Sequence, residues 1–424
     1  MDTIVALSSG RPPAAIAVLR VSGPAAFAAA VSLAGALPPP RRASLRALRD
    51  AGGALLDRAL VLIFPGPDSA TGEDVVELHC HGGRAVAAAV EAALLVHPGV
   101  RVAMPGEFTR RALGNARIDL AQAEGLADLL EAETEGQRRA AMTASEGVVS
   151  RTIGGWLQAL ADLSARVEAT IDHAEEGDVE REAEMVTSVH SDASALRTAI
   201  LSVLQAPPVE RVRDGIRVVI GGPPNSGKST LLNLLSQRDA AIVSPHAGTT
   251  RDRVEAAVQR NGAAYLLIDT AGLTEAADPV ERIGVFRAGE AIAAADLLVW
   301  LADTPPPRAD ALWVHARADL AGRRSMPIGP SITLSRDDPH SIERLWAAIE
   351  SKAARLLPRS DDLPLKAVQR AACDAAAHQL SLSRDSLIAA EQLRVARHSL
   401  GAVLGVDATE AMLDALFGRF CLGK

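Results

Sequence analysis

The sequence predicts a multidomain protein of α/β plus α class. A phosphate-loop α/β domain is inserted into a helical bundle, and an N-terminal α/β module precedes both. Three observations predict this. First, Gly222-Pro-Pro-Asn-Ser-Gly-Lys-Ser229 lies between a β-branched run, Ile216-Arg-Val-Val-Ile220, and an apolar run at helical spacing, Thr230-Leu-Leu-Asn-Leu-Leu235. Second, strand-forming runs occur before residue 118 and again from Ile216, with helical periodicity between them. Third, helical periodicity returns after Pro358 over about 60 residues, a doubtful size for an independent core. Both helical segments need partners for their apolar stripes, and one shared bundle satisfies them.

Composition narrows the function classes. At 424 residues the chain has room for two or three domains. A net charge of -8 excludes a globally basic surface, so any RNA contact must come from local patches. Aromatic residues make up 3%, which argues against base stacking on aromatic platforms. Three cysteines without paired spacing fit a reducing cytosol. The start, Met1-Asp-Thr-Ile-Val, lacks a basic segment followed by an apolar core. The longest apolar run, Ala25 to Leu37, is broken by Ser32 and is shorter than the ~20 residues a membrane span needs. A soluble, cytoplasmic protein without a membrane partner is expected.

In the N-terminal module, Ile16–Val21, Ala59–Phe64 and Asp74–His79 read as strands, and Pro24–Leu37 and Arg84–Val96 as helices. Arg20 and Glu77 are charges near strand ends, either gripping a polar ligand or simply solvated at an edge. His79-Cys-His81 lacks further ligands at metal spacing, and Gly82-Gly83 suits a tight turn into the next helix. From Ile118 the pattern turns helical. Leu120, Ala123, Ala127 and Leu130 form one stripe, and Ile153, Trp156, Leu157, Leu160, Leu163, Val167 and Ile171 a longer one. The acidic run Glu175–Glu182 reads as a solvated loop, followed by a helix from about Ser188 to Leu204 that stops before Pro207-Pro208. Beyond Pro358, helices are expected over 365–383, 387–404 and 408–420, with the proline sites as paired entry and exit points of the insert.

The phosphate loop carries the chemistry. Gly222 and Gly227 let backbone N–H groups face a phosphate chain, and the following helix N-terminus adds positive potential. Lys228 can reach the β- and γ-phosphates, and Ser229 can ligate Mg²⁺. Thr249 and Thr250, in Gly248-Thr-Thr-Arg-Asp252, can close on the metal and γ-phosphate. Asp269-Thr-Ala-Gly272 follows a strand read over Tyr265–Asp269; Asp269 can hold the Mg²⁺ shell and the Gly272 N–H can touch the γ-phosphate. In Trp313-Val-His-Ala-Arg-Ala-Asp319, read as a base-reading loop, Asp319 can accept two hydrogen bonds from guanine. Ser226, Gly227, Thr230, Thr270, Ala271 and Ser335 complete the expected nucleotide contacts. The order and spacing of these parts read as a Ras-like GTPase domain. Leu273 stands where many such proteins orient water with Gln, so other groups must act. Asn225 can help hold a monovalent cation beside the phosphates, and the carboxylate of Glu281 lies a short way beyond.

Several stretches together resemble the family of the tRNA modification GTPase MnmE, also called TrmE. They are Asp2–Ala6, Leu19-Arg-Val-Ser-Gly23, Thr71–Leu78 with His81-Gly-Gly83, Pro105-Gly-Glu-Phe-Thr109, Asp119–Glu124, the phosphate loop, Gly248–Asp252, Asp269–Leu273, Val280-Glu-Arg-Ile-Gly284, and the terminal Phe420-Cys-Leu-Gly-Lys424. The resemblance spans the chain. It implies an N-terminal domain that binds a reduced folate (methylene- or formyl-tetrahydrofolate) through Arg20, Glu77, Arg117 and Lys424 and pairs two subunits into a homodimer. It implies K⁺ held by Asn225, Ser244, His246 and Thr249, with Mg²⁺ at Ser229 and Thr250, and Glu281 positioning the water. It also implies a flavin-containing partner that carries FAD in a hetero-oligomer. With GTP as substrate, the pair would install an aminomethyl or carboxymethylaminomethyl group at C5 of the tRNA wobble uridine. Cys421 would take part in that modification chemistry, and the folate would supply the one-carbon unit.

Departures from the family pattern are visible. Ala316-Arg-Ala-Asp319 stands for Asn-Lys-x-Asp, Ser335-Arg-Asp-Asp-Pro339 for a Ser-Ala loop, Arg117 for a lysine, and Ser8-Ser-Gly-Arg-Pro-Pro13 for a more glycine-rich segment. The expected domains are residues 1–118 (folate-binding-like and dimerising), 119–213 (helical), 214–356 (GTPase insert) and 357–424 (helical, with the Cys motif). A GTPase scaffold or assembly factor without modification activity is the alternative reading.

Overall fold

In the computed structural model the described residues are 2–173, 179–237, 240–241, 255–270, 289–323, 328–359, 361–406, 408–420 and 423. The chain forms two compact units: residues 1–127, 150–154 and 400–424, and residues 128–149 and 155–399.

The first unit is built on strands β1 (Thr3–Leu7), β2 (Ile16–Ser22), β3 (Ser44–Arg49), β4 (Leu55–Phe64), β5 (Val75–His81) and β6 (Val100–Val102). They form one sheet in the order β3-β4-β5-β2-β1-β6, antiparallel except for β1 beside β6. Strand alternation decides which face is covered. Leu19 and Val21 of β2, Ala59, Val61 and Ile63 of β4, and Val76, Leu78 and Cys80 of β5 pack under helices Ala26–Ala34 and Arg84–Leu95. The first helix is shorter than the sequence suggests because Gly35, at φ 68°, turns the chain out of it.

The opposite face carries Arg20 and Glu77, and here the sequence expectation needs correcting. They do lie near strand ends, each two residues from one, but not at a sheet edge: they are direct register partners on β2 and β5, the two central strands. β4 also starts four residues earlier than expected, at Leu55, and β3 and the helix Glu107–Gly114 carried no signal strong enough to read.

Arg101 on β6, Asp2 just before β1, and Arg111, Glu73 and Glu107 form one ionic network. Arg111 reaches Asp2 at 2.8 Å, Glu107 at 3.0 Å and Glu73 at 3.1 Å, and Arg101 donates to Glu107 at 2.8 Å. Burial pushes the Glu107 carboxyl up, but hydrogen bonds from Arg101, the Met104 N–H and Arg111 outweigh it, leaving it below the usual range. The Asp2 carboxyl is lowered chiefly by Arg101.

In the second unit, helices Val148–His173 and Val179–Leu204 bring Leu160, Leu163 and Val167 and Val189, Ala193, Leu196 and Ile200 into buried positions. Arg166 bridges to Asp192 at 2.6 Å. Of the shorter stripe, Leu120, Ala123 and Ala127 lie buried in the first unit, but Leu130 is 45% exposed because its helix ends at Glu131. The acidic run also differs from expectation. Residues 174–178 lie outside the described residues, but the helix already begins at Val179, since acidic residues suit a first turn. Helix Ala367–Gln379 packs on Val179–Leu204, with Arg370 reaching the Leu204 carbonyl. Helix Ser386–Leu404 follows it, and Glu410–Phe417 belongs to the first unit; each is within the sequence expectation by a few residues. The two segments that flank the sheet touch where the Val209 N–H donates to the Leu365 carbonyl at 3.4 Å.

The second sheet contains β7 (Ile216–Gly221), β8 (Ala240–Ala241), β9 (Glu255–Arg260), β10 (Ala263–Asp269), β11 (Leu297–Trp300), β12 (Leu312–His315) and β13 (Ile332–Thr333), in the order β13-β12-β11-β7-β10-β9-β8. β7 runs parallel to both β10 and β11. Its Ile216, Val218 and Ile220 join a core with Leu231, Leu235 and the helix Ser341–Ala353. Trp346 is fully buried there, edge-on to Tyr265 with ring centres 5.2 Å apart, and the Arg260 guanidinium lies 5.1 Å from its ring. The start of the stretch read as a base-reading loop, Trp313-Val-His315, is instead strand β12.

Two outcomes follow from this packing. Trp346→Ala is expected to cost about 3–5 kcal/mol, whereas Trp346→Phe should cost far less, since the indole N–H has no hydrogen-bond partner among the described residues. Urea unfolding followed by tryptophan fluorescence measures both, and equal losses would contradict the cavity argument. The second concerns acid. Carboxyls lowered in the folded state stabilise it above their unfolded pKa, and that stability is lost as pH falls through the folded value. The first unit should therefore weaken as pH drops below about 5, and Glu107→Gln should flatten the dependence. All four tryptophans (156, 300, 313 and 346) belong to the second unit, so the urea transition seen by far-ultraviolet dichroism but not by fluorescence is the one to follow. A midpoint constant from pH 6 to pH 3 would refute it.

Candidate functional site

The phosphate loop begins where β7 ends. Gly222 has φ 149°, and a Cβ there would meet the Leu301 carbonyl oxygen at 2.5 Å, so no larger residue fits. Gly227 at φ 100° turns the chain into helix Lys228–Gln237. Lys228 is buried, its Nζ donating to the carbonyls of Gly222 at 3.0 Å and Pro223 at 2.9 Å. Burial pushes its ammonium below the usual lysine range, against the opposing pull of Asp269. Ser226 Oγ is buried without a partner among the described residues. Ser229 and Thr230 are exposed at the helix start.

Parallel pairing brings Asp269 to the same place. Asp269 is the register partner of Ile220, is 2% exposed, and accepts a short hydrogen bond from Ser229 Oγ. A hydroxyl and a carboxylate in contact beside a buried ammonium form an arrangement suited to a polyphosphate and its divalent ion. Thr270 points elsewhere: its Oγ1 donates to the Ile220 carbonyl at 3.0 Å inside the protein.

Beyond β12 the chain turns sharply at Arg317, which has φ 60°. Arg317 Nη1 donates to the Asn225 carbonyl at 2.8 Å, tying this loop to the phosphate loop. Asp319 Oδ1 accepts from the Arg336 N–H at 3.3 Å, so the segments beginning at Ala316 and Ser335 meet. The Ser335 hydroxyl accepts from the Asp337 N–H at 3.2 Å. Sequence reading missed the support beneath. Arg323 donates to the Ala316 carbonyl at 3.1 Å and grips Asp303 through two contacts at 2.8 and 2.9 Å, beside the buried His315. Nothing in residue spacing links positions 303 and 323. Ser244, His246, Thr249, Thr250, Ala271, Gly272, Leu273 and Glu281 lie outside the described residues.

A second site lies on the open face of the first sheet. Arg20 donates to Glu77 Oε1 from Nε at 3.0 Å and from Nη2 at 2.8 Å, and His79 lies 3.2 Å from the other oxygen of Glu77. Burial raises the Glu77 carboxyl, but His79 and Arg20 more than offset it, so it lies below the usual range. His81 instead pairs with Asp57 at 2.7 Å. Beside Glu77 is a cavity of about 300 Å³ lined by Arg41, Phe64, Asp68, Val75 and Arg117 among others. Arg41 is a wall residue that sequence reading did not single out. Arg117 stands 3.8 Å from Asp68, and the 66–74 loop is hung from the Glu107–Gly114 region by Asn115, which donates to the Thr71 carbonyl at 2.7 Å. The C-terminal tail comes near this face: the Gly423 carbonyl accepts from Ser8 Oγ at 2.8 Å, just beyond β1, whose Ala6 is the register partner of Arg20. Cys421 and Lys424 lie outside the described residues.

Residues 3–117 match the family described as GTP-binding protein TrmE N-terminus, and residues 120–421 match the MnmE helical domain. A protein of Erythrobacter litoralis named tRNA modification GTPase MnmE is 50% identical, with all of both chains covered. One of the same name from Rhizorhabdus wittichii is 51% identical over all of this chain and 97% of its own. A third, from Novosphingobium aromaticivorans, is 48% identical over the whole of both. Full-length identity at this level, on a chain that joins a phosphate loop to the N-terminal sheet and the helical segments, means that the chain belongs to the tRNA modification GTPase MnmE family.

Proposed function

We propose that this GTP hydrolase involved in tRNA modification works with a flavin-containing partner to add an aminomethyl or carboxymethylaminomethyl group to C5 of the wobble uridine, position 34. The observation that carries the reading is the coexistence of two chemically different sites in one chain. One is a phosphate loop with buried Lys228 and the Ser229–Asp269 contact. The other is the Arg20–Glu77 pair beside a cavity walled by Arg117.

The phosphate loop fits GTP with Mg²⁺. The partnerless hydroxyl of Ser226 and the inward Lys228 suit a segment that wraps an anion, and Ser229, Thr250 and Asp269 would hold the metal. Asn225, Ser244, His246 and Thr249 would hold K⁺, which supplies positive charge where an arginine finger acts in other GTPases. Glu281 would position the attacking water that Leu273 cannot. In the first unit, Arg20, Glu77, Arg117 and Lys424 would hold a reduced folate, a ligand with both hydrogen-bond donors and carboxylates, and that ligand supplies the one-carbon unit. Cys421 would act in the modification chemistry beside it.

The four-part division, with 214–356 as an insert between helical segments 119–213 and 357–424, is proposed with it. The Val209–Leu365 hydrogen bond supports it by joining the two helical segments just outside the insert. Homodimerisation through the N-terminal domain and a cytoplasmic location belong to the same proposal; among the described residues no helix is long and apolar enough to cross a membrane. The second reading, a GTPase scaffold without modification activity, draws on Ala316 standing where an Asn is usual.

Mass spectrometry of tRNA from a strain lacking this chain separates the two. Loss of the C5 substituent at position 34 is expected, and unchanged wobble uridine would leave only the scaffold. For the nucleotide site, GTP turnover should fall sharply when Na⁺ replaces K⁺, and Asn225→Ala should erase the difference between the salts. Equal wild-type rates in both would remove the cation from the mechanism.

A further inference from the structure

Arginine pairing in the first unit is uneven. Arg20, Arg101, Arg110, Arg111 and Arg117 each stand beside a carboxylate. Arg41, Arg42, Arg46, Arg49 and Arg58 have no carboxylate partner among the described residues. Arg46 and Arg49 instead donate to the backbone carbonyls of Ala36 and Gly53, which leaves their charge uncompensated. The two acids close by in sequence are engaged elsewhere: Asp57 holds His81 at 2.7 Å, and Asp50 accepts from the Ala54 N–H at 2.9 Å.

Arg41, Arg42, Arg49 and Arg58 form a row; Arg46 alternates onto the helix-covered face beside Leu48 and stands apart from it. Arg41 and Arg42 precede β3, Arg49 lies on it, and Arg58 stands on β4 opposite Ala47. β3 is the edge of the sheet, so the row flanks an unpaired strand margin roughly 20 Å long. All four are exposed. At one end the row enters the cavity wall, because Arg41 both lines the cavity and donates to the backbone carbonyl of Asp68. Guanidinium groups offer planar forks that match phosphate oxygens, and a locally positive strip is what a chain of net charge -8 needs to hold a polyanion.

We propose that this arginine row seats the phosphate backbone of a tRNA, laying the RNA along the β3 edge with one end at the cavity. The inference rests on the tRNA-modification reading and adds where the RNA lies. Backbone contacts of this kind position a nucleic acid without reading its sequence, so they would serve every substrate tRNA alike.

The test uses the full chain and an unmodified tRNA transcript, with affinity measured by fluorescence anisotropy between about 50 and 200 mM salt. Arg42→Glu/Arg49→Glu/Arg58→Glu removes three cations. Each lost contact takes about 0.7–0.9 from the salt slope, so over that range the wild type should weaken roughly twenty- to fortyfold more than the variant. The triple lysine variant should retain most of the slope. An edge strand merely kept from pairing with other strands would be served by charge of either sign. A glutamate variant that is folded by dichroism and binds tRNA with the wild-type slope would therefore overturn the arginine row and leave the tRNA-modification reading standing. A wild type that does not bind tRNA would overturn both.

Discussion

Parallel pairing of β7 with β10 on one side and β11 on the other is the constraint on which the nucleotide site depends. Parallel strands end together, so their carboxyl ends deliver residues distant in sequence to one crevice. Ile220 stands beside Asp269 on one flank and Val299 on the other, and the Leu301 N–H donates to the Gly221 carbonyl at 2.8 Å. That closeness makes Gly222 obligatory, since Leu301 occupies the space of any side chain. It also sets the Ser229–Asp269 contact. The site is anchored by the fully buried Ile216, Val218 and Ile220 beneath it, and Lys228 adds bonds to the loop's Gly222 and Pro223 carbonyls.

The first unit solves a different problem. Arg20 and Glu77 lie on the two central strands, where apolar residues would stabilise the sheet more simply. Their side chains are 23% and 18% exposed, so each charge is largely desolvated and depends on the other, with Phe108 under the Arg20 guanidinium at 5.7 Å. Removing one partner strands the other, a cost of the kind that active sites tolerate and cores do not.

The legible and illegible parts divide on physical grounds. The phosphate loop, its flanking strand and helix, and the helical stripes at Ile153, Leu160 and Val167 were legible because each rests on local spacing. The placement of Arg20 opposite Glu77 was not. A charge on a strand reads as an edge residue unless the strand order is known, and that order follows from crossovers that local periodicity does not encode. β3, Ser-Leu-Arg-Ala-Leu-Arg, was missed for a related reason: as an edge strand it has one flank in solvent, and its alternation is blurred. Arg323 supporting Ala316 through Asp303 was equally hidden, being a contact between loops.

That hidden support bears on the altered base-reading segment. In many GTPases the Asn amide at this position fastens the loop from within. Here the side chain of Ala316 is 8% exposed and joins the hydrophobic core, so it contributes packing and no hydrogen bond. The loop is held through arginines instead: Arg323 takes the Ala316 carbonyl from one side, and Arg317 takes the Asn225 carbonyl of the phosphate loop from the other. Both are charge-assisted hydrogen bonds: the part-buried Arg323 contact is of a kind worth about 1.5–3 kcal/mol, and solvent screening leaves the exposed Arg317 contact worth less. Base discrimination in the proposed reading then rests on Asp319. Its Oδ1 already accepts from Arg336, but a carboxylate has about four lone-pair positions, which leaves capacity for two donors from guanine. Adenine has no donors at those positions and would leave the carboxylate without those two hydrogen bonds, the kind of loss by which a polar site rejects a wrong base.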